Sequence, residues 1–250
     1  MKIHYLKYVD VQDNRYPFFN ANSLQTAYYL EKSFVDKLKN FNDERLFEFA
    51  QKKPNAITSD VNDFSAYGGL YGSNPSAENE QKAINGEASR IDERFYSDPI
   101  NEPSLLMSYS ELQFTLAEAA ARGWISGSTD NFYKAGIKAS MNFYGITDVD
   151  TYLNQPAIQL QNPNDIENIM IQKHISMFMN TGYQIFYDQR RTGFPEFNVD
   201  GGGILNNGQI PKRFMYPEDE RANNTQNLEE AVADQFGNSD DINGVIWLLE

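Results

Sequence analysis

Apolar residues recur at three- and four-residue intervals along several stretches of the chain, the period of one helix face. From Asn22 to Asn40, Leu24, Ala27, Tyr28, Phe34, Val35 and Leu38 keep this spacing and only Glu31 departs from it. That predicts one amphipathic helix over 22–40, capped by Asn22 or Ser23. A helical hairpin is predicted from Ser108 to Gly145. Its first helix, over 105–123, presents Tyr109, Leu112, Leu116, Ala120 and Gly123. Its second, over 129–144, presents Phe132, Gly136, Ala139 and Phe143, with Tyr133 and Tyr144 beside them. Ser126-Gly127-Ser128 supplies the turn. The stretch 165–180 is apolar nearly all round, the mark of a buried helix. Thr181-Gly182 interrupts it, and a short helix over 183–191 ends at Gly193 and Pro195.

Shorter helices are expected at Glu44–Gln51 and Asn227–Phe236, with loop from Tyr152 to Pro163. The least regular region runs from Asn55 to Pro103, and few stretches alternate in the period of a strand. The predicted class is mainly α: an irregular helical domain of hairpins and long coil loops, with little strand, read as a single domain over 1–250.

Composition narrows the function. A net charge of −14 and a pI near 4.6 disfavour nucleic acid, which needs a basic face. No cysteine is present, so disulfides, thiolate metal sites and cysteine nucleophiles are excluded. No apolar run reaches the length of a membrane-spanning helix, and MKIHYLKYVD lacks the apolar segment of a secretion signal.

Catalytic chemistry finds little support. His4 and His174 have no partners at metal-ligand spacing, and His174 reads as a core or interface histidine. Gly201-Gly202-Gly203 lacks the lysine of a phosphate loop. Asn238 to Gly244 has the flavour of a calcium loop without its closing glutamate. Glu111 and Glu118 lie on one helix face, ~10 Å apart at 1.5 Å per residue, a spacing compatible with an inverting glycosidase pair. The stronger reading of Glu118 is structural: a carboxylate among alanines that pairs with Arg190, Arg191 or Arg122 and locks helices together. No enzyme activity, cofactor or metal is expected.

Binding remains. Phe64, Tyr67 and Tyr71 follow no helix or strand period and are interleaved with Gly68, Gly69 and Gly72. Aromatic rings suit the apolar face of a pyranose, and Asn62, Asp63 and Asn74 offer polar groups for its hydroxyls. The expected ligand site is therefore Phe64, Tyr67, Tyr71, Asn62 and Asn74.

Several blocks, in order, resemble the C-terminal half of the SusD/RagB family of Bacteroidetes nutrient-binding lipoproteins. They are SYSELQFTLAEAAARGW, YKAGIKASMNFYGI, IMIQKHISMFMNTGYQIFYDQRRTGFPEF and YPEDERANNTQNLEEAV. The likeness covers roughly 16–232, with Ala117-Glu118-Ala119, Ser140, Met141, Tyr144, Gly145 and Arg190 through Pro195 matching family positions. It implies non-catalytic capture of an oligosaccharide, or of a peptide, and delivery to a SusC-like TonB-dependent transporter at the cell surface of the outer membrane. The family's lipoprotein signal, lipidated cysteine and tetratricopeptide-like half find no counterpart in this sequence. Membrane attachment is expected only through such an anchor. A helical module that binds another protein is the alternative reading.

Overall fold

The computed structural model describes residues 5–100, 102–161, 165–180, 182–237 and 239–247. His4, Pro163, Thr181 and Asn238, which entered the sequence reading, lie outside them. Within these residues the fold is mainly helical: α1 Asn22–Thr26, α2 Lys32–Asn40, α3 Arg45–Phe49, α4 Ser76–Ile84, α5 Tyr109–Ala121, α6 Thr129–Phe143, α7 Val149–Leu153, α8 Asp165–Ser176, α9 Gln184–Thr192, α10 Glu218–Asn223 and α11 Thr225–Phe236. Two-residue strands, β1 Tyr5–Leu6 and β2 Ser104–Leu105, pair antiparallel. Contacts group the chain into two compact units where the sequence reading has one domain: 1–72 with 76–197, and 73–75 with 198–250.

In the first unit α5, α6 and α8 pack together. The buried face of α5 is Ser110, Gln113, Phe114, Ala117 and Glu118, one position round from the Tyr109–Leu112–Leu116 stripe that periodicity favours. On α6 it is Tyr133, Gly136, Ile137, Ser140 and Met141. The reason for the shift is a ring-on-glycine contact. Phe114 lies on Gly136, where a Cβ would stand 2.9 Å from the ring, and Ser110 Oγ donates to the Gly136 carbonyl at 2.7 Å. Helix α8 is buried nearly all round, as expected, although it ends at Ser176 and not at residue 180. Ser108 and Ser128 cap α5 and α6 by accepting from the N–H groups of Glu111 and Asn131.

The expected helix over 22–40 is two helices with an extended break. Leu30 donates to the Ser89 carbonyl and Lys32 to that of Leu70, so 28–32 runs between 68–70 and 89–91. Glu31, the residue off the apolar period, is the cap of α2: its carboxylate accepts from the Phe34 N–H at 3.0 Å. Gly69 sits against this segment, where a Cβ would lie 2.7 Å from Lys32 Cα. The glycine thus serves close packing of the chain on itself.

A buried polar network ties α3, α6, α7 and α8. Arg45 donates to Asp43 (2.9 and 2.6 Å), to Ser140 Oγ (2.9 Å) and to Gln172 Oε1 (2.8 Å), and Tyr152 OH donates to Asp43 Oδ2 at 2.8 Å. Burial opposes the charge on Arg45, but Asp43 and Tyr152 more than offset it and raise its pKa further.

The second unit carries α10 and α11. Asp240 accepts from Arg213 at 2.5 Å, from the Tyr216 N–H at 3.1 Å and from Arg221. The region with calcium-loop flavour therefore presents its central carboxylate to two guanidinium groups. The Gly201–Gly203 run lies against Ser73, whose carbonyl accepts from the Gly203 N–H at 2.6 Å.

Candidate functional site

Helix α4 was not foreseen from sequence, because it buries no residue and so shows no apolar stripe. The local signal for it was propensity: Ala77, Glu78, Glu80, Gln81, Lys82 and Ala83 are good helix formers, and Lys82 pairs with Glu78 at 2.6 Å. This helix forms one wall of a shallow hollow of about 500 Å³. The opposite wall is Ala27, Tyr29 and Leu70, contributed by the break between α1 and α2 and by the chain beside it. Ser76, Asn79, Glu80, Ala83 and Ile84 complete it from α4, and Ile84 is 79% exposed.

Tyr29 is the aromatic surface of this hollow. The Arg90 guanidinium carbon lies 4.3 Å from its ring centroid, and Arg90 Nη2 donates to its hydroxyl at 2.7 Å. A ring held by a cation and a hydrogen bond has little rotamer freedom left to lose on binding. Asn79 ties α4 to the chain at Tyr71. Its Nδ2 donates to the Tyr71 carbonyl at 2.9 Å, and its Oδ1 has no hydrogen-bond partner among the described residues. An aromatic ring and the exposed side chains of Ser76 and Glu80 are the mixed lining that a polar ligand with apolar faces requires.

The residues expected to bind ligand are placed differently. Tyr67 is 1% exposed, packs on Phe47 at 5.4 Å between centroids, and donates its hydroxyl to the Val61 carbonyl at 2.8 Å. Burial, with the charges of Asp92, Glu48 and Asp60 behind it, pushes that hydroxyl up to about 12. Phe64 packs on Phe47 at 4.6 Å. Both rings belong to the packed side of the loop. The Asp63 carboxylate accepts from the Ser65 N–H and hydroxyl, each at 2.8 Å, and caps a single turn over Phe64–Ala66. Asn62 is exposed, and Asn74 belongs to the second unit. Tyr71 is half-buried with Lys32 Nζ 5.4 Å from its ring centroid, and its carbonyl accepts from Asn79 Nδ2 at 2.9 Å. The loop thus buttresses a hollow whose ring comes from Tyr29.

Glu118 takes the structural role expected of it. Arg191 grips both carboxylate oxygens, with Nη2 at 2.8 Å from Oε2, and Arg122 Nε donates to Oε1 at 2.8 Å. Arg190 points elsewhere, 5.4 Å from the Phe186 ring. Burial pushes the Glu118 carboxyl up, but the two arginines outweigh it and hold the pKa below the usual carboxylate range. Asp188 extends the cluster, 2.8 Å from Arg191 and 2.7 Å from Lys173. Among the described residues no group of histidines and carboxylates has the arrangement of a metal site.

A family model described as starch-binding and associating with the outer membrane matches residues 4–217. The chain belongs to the SusD-like family. Solved structures agree with this SusD-like assignment. An outer-membrane protein of Bacteroides vulgatus, described in connection with nutrient binding, is 34% identical with a TM-score of 0.90 over 99% of this chain and 57% of its own. A SusD homologue from Bacteroides fragilis is 37% identical with a TM-score of 0.88, over 98% of this chain and 56% of its own. A chitin-binding protein is 28% identical with a TM-score of 0.72, over 89% of this chain and 50% of its own. The chain therefore spans a little over half the length of the first two. No curated protein matches it.

Proposed function

We propose that this SusD-like chain is a non-catalytic nutrient-binding protein. In this reading it captures an oligosaccharide at the outer-membrane surface and passes it to a TonB-dependent transporter. Family membership supports the class of function, and the relative named as chitin-binding supports a glycan over a peptide. The observation that carries the site is the hollow in which the Tyr29 ring lies across from α4, whose exposed Ser76 and Glu80 line it. A pyranose lays its axial C–H face on the tyrosine while its hydroxyls meet the side chains of Ser76 and Glu80. Glu118 takes no part in chemistry, since its oxygens are held by arginines.

The test is a glycan array including starch and chitin oligosaccharides, followed by calorimetric titration of the best ligand against Tyr29→Ala and Glu80→Ala. Loss of one stacked ring is expected to weaken binding by about tenfold, or roughly 1–1.5 kcal/mol. If both folded variants bind like the parent, the hollow is not the site. If no glycan on the array binds the parent, the glycan reading itself fails.

A further inference from the structure

A second concavity, of about 230 Å³, lies between α2, α8 and the segment Pro195–Phe197. Its apolar walls are Phe34, Ile91, Phe178, Pro195 and Phe197, and Tyr29 and Ser33 also line it. The rings are ordered among themselves: Phe34 and Phe178 stack at 5.5 Å between centroids with 12° between their planes, and Phe49 stacks behind Phe178 at 4.4 Å. An apolar cavity of about 150 Å³ is enough to hold benzene, so this one has room for a fused bicyclic ring.

One imidazole reaches this apolar space. His174 on α8 stands 5.1 Å from Phe34 and 6.1 Å from Phe197 between ring centroids, and no described residue hydrogen-bonds to its imidazole. Burial, aided by the positive charge of Lys37, lowers its pKa to about 4. The ring is therefore neutral at physiological pH, with one N–H to give and one lone pair to receive. Such a lining, mostly apolar with the imidazole among the phenyl rings, matches a largely apolar body that carries a polar function. A pyranose would bury several hydroxyls against phenyl rings and leave them unsatisfied. Lys37, Glu31 and Glu196 also line the cavity, and a charged ligand would lose its hydration against the phenyl rings.

We propose that this cavity, which shares Tyr29 alone with the hollow beside α4, is a binding site for an uncharged ring that carries one hydroxyl or ring N–H, the phenol and indole class, with His174 as its hydrogen-bond partner. The glycan reading is not needed for it, and the glycan titration on the same preparations reports on that reading separately.

The probes are indole and its isostere benzothiophene, which lacks the N–H. Both are titrated into the intact protein by calorimetry, and the bound indole is located by intermolecular NOEs. Saturable indole binding is expected, with NOEs to the Phe34 and Phe178 ring protons, and benzothiophene is expected to bind about fivefold more weakly, the effect of one net hydrogen bond. In His174→Leu the difference between the probes disappears. Ile91→Trp fills the cavity and removes binding of both; should that variant fail to fold, the NOEs in the parent protein locate the ligand. The proposal is overturned if indole shows no saturation at millimolar concentration. It is also overturned if the NOEs fall on other residues, if folded Ile91→Trp binds like the parent, or if the parent binds both probes equally.

Discussion

Arg45 Nη2 lies 2.6 Å from Asp43 Oδ2, and neither side chain exposes any surface. The pair is compensated on every side, by Ser140, Gln172 and Tyr152, which lie 95 to 127 residues further along the chain than Arg45. Arg45→Met leaves the Asp43 carboxylate buried without its counter-charge. It is expected to destabilise the first unit by about 3–5 kcal/mol, read from urea unfolding. The double variant Asp43→Leu with Arg45→Met removes both charges and is expected to recover much of that loss. Equal stability of Arg45→Met and the parent would refute the role given to the network.

Glu118→Gln keeps the shape of the side chain and removes the charge that two arginines share. A loss of about 2 kcal/mol is expected, the scale of charge-assisted hydrogen bonds, with glycan affinity unchanged. The pH dependence has a definite sign. A carboxylate with a depressed folded pKa contributes stability above its ordinary value of 4.5, and that contribution is lost as pH falls through the folded value. The difference between parent and variant in unfolding midpoint is therefore largest at neutral pH and closes in acid. Hydrolysis of a bound glycan by the parent but not by the variant would restore a catalytic reading of Glu118.

Tyr67→Ala separates packing from binding. The ring is buried against Phe47, so its removal is expected to cost about 3–4 kcal/mol, as for other large aromatic truncations. Glycan affinity of the folded fraction stays within twofold of the parent. A stable Tyr67→Ala with tenfold weaker binding would return the ligand to the Phe64–Tyr71 loop.

His174 carries a second pH signature, of opposite origin. Its folded pKa is lowered to about 4 from 6.5 by burial and by Lys37, while Glu31 and Glu196 line the same cavity and Glu167 and Glu196 act on Lys37. The unfolded chain takes up its proton first, so stability falls as pH drops from 6.5 towards 4 and the effect levels off below. In His174→Phe that part of the pH dependence is expected to vanish, as measured by the difference in unfolding free energy at pH 7.5 and pH 5. An imidazole titration midpoint near 6.5 by NMR would show that the ring is not desolvated.

The sequence by itself determined the elements whose signal is local. Helices α5, α6, α8 and α9 were legible within a few residues, because apolar period and a glycine stop act over one or two turns. The partner of Glu118 was legible as an arginine nearby in the fold, since a carboxylate among alanines on a buried face needs a cation. The order of conserved-looking blocks also placed the chain in its family, which the match over 4–217 supports. Periodicity alone could not set the rotation of α5, because Leu112 and Leu116 are as apolar as any core stripe; the Phe114–Gly136 contact across the hairpin decided it. Nor could it divide 22–40 into two helices, since the backbone hydrogen bonds that hold 28–32 extended come from Ser89 and Leu70. The aromatic loop is the sharpest case. Tyr67 and Phe64 break every local period, yet Phe47, seventeen or more residues earlier, buries them. Aromatics off period mark a site only when nothing distant covers them, and coverage is a property of the tertiary structure alone.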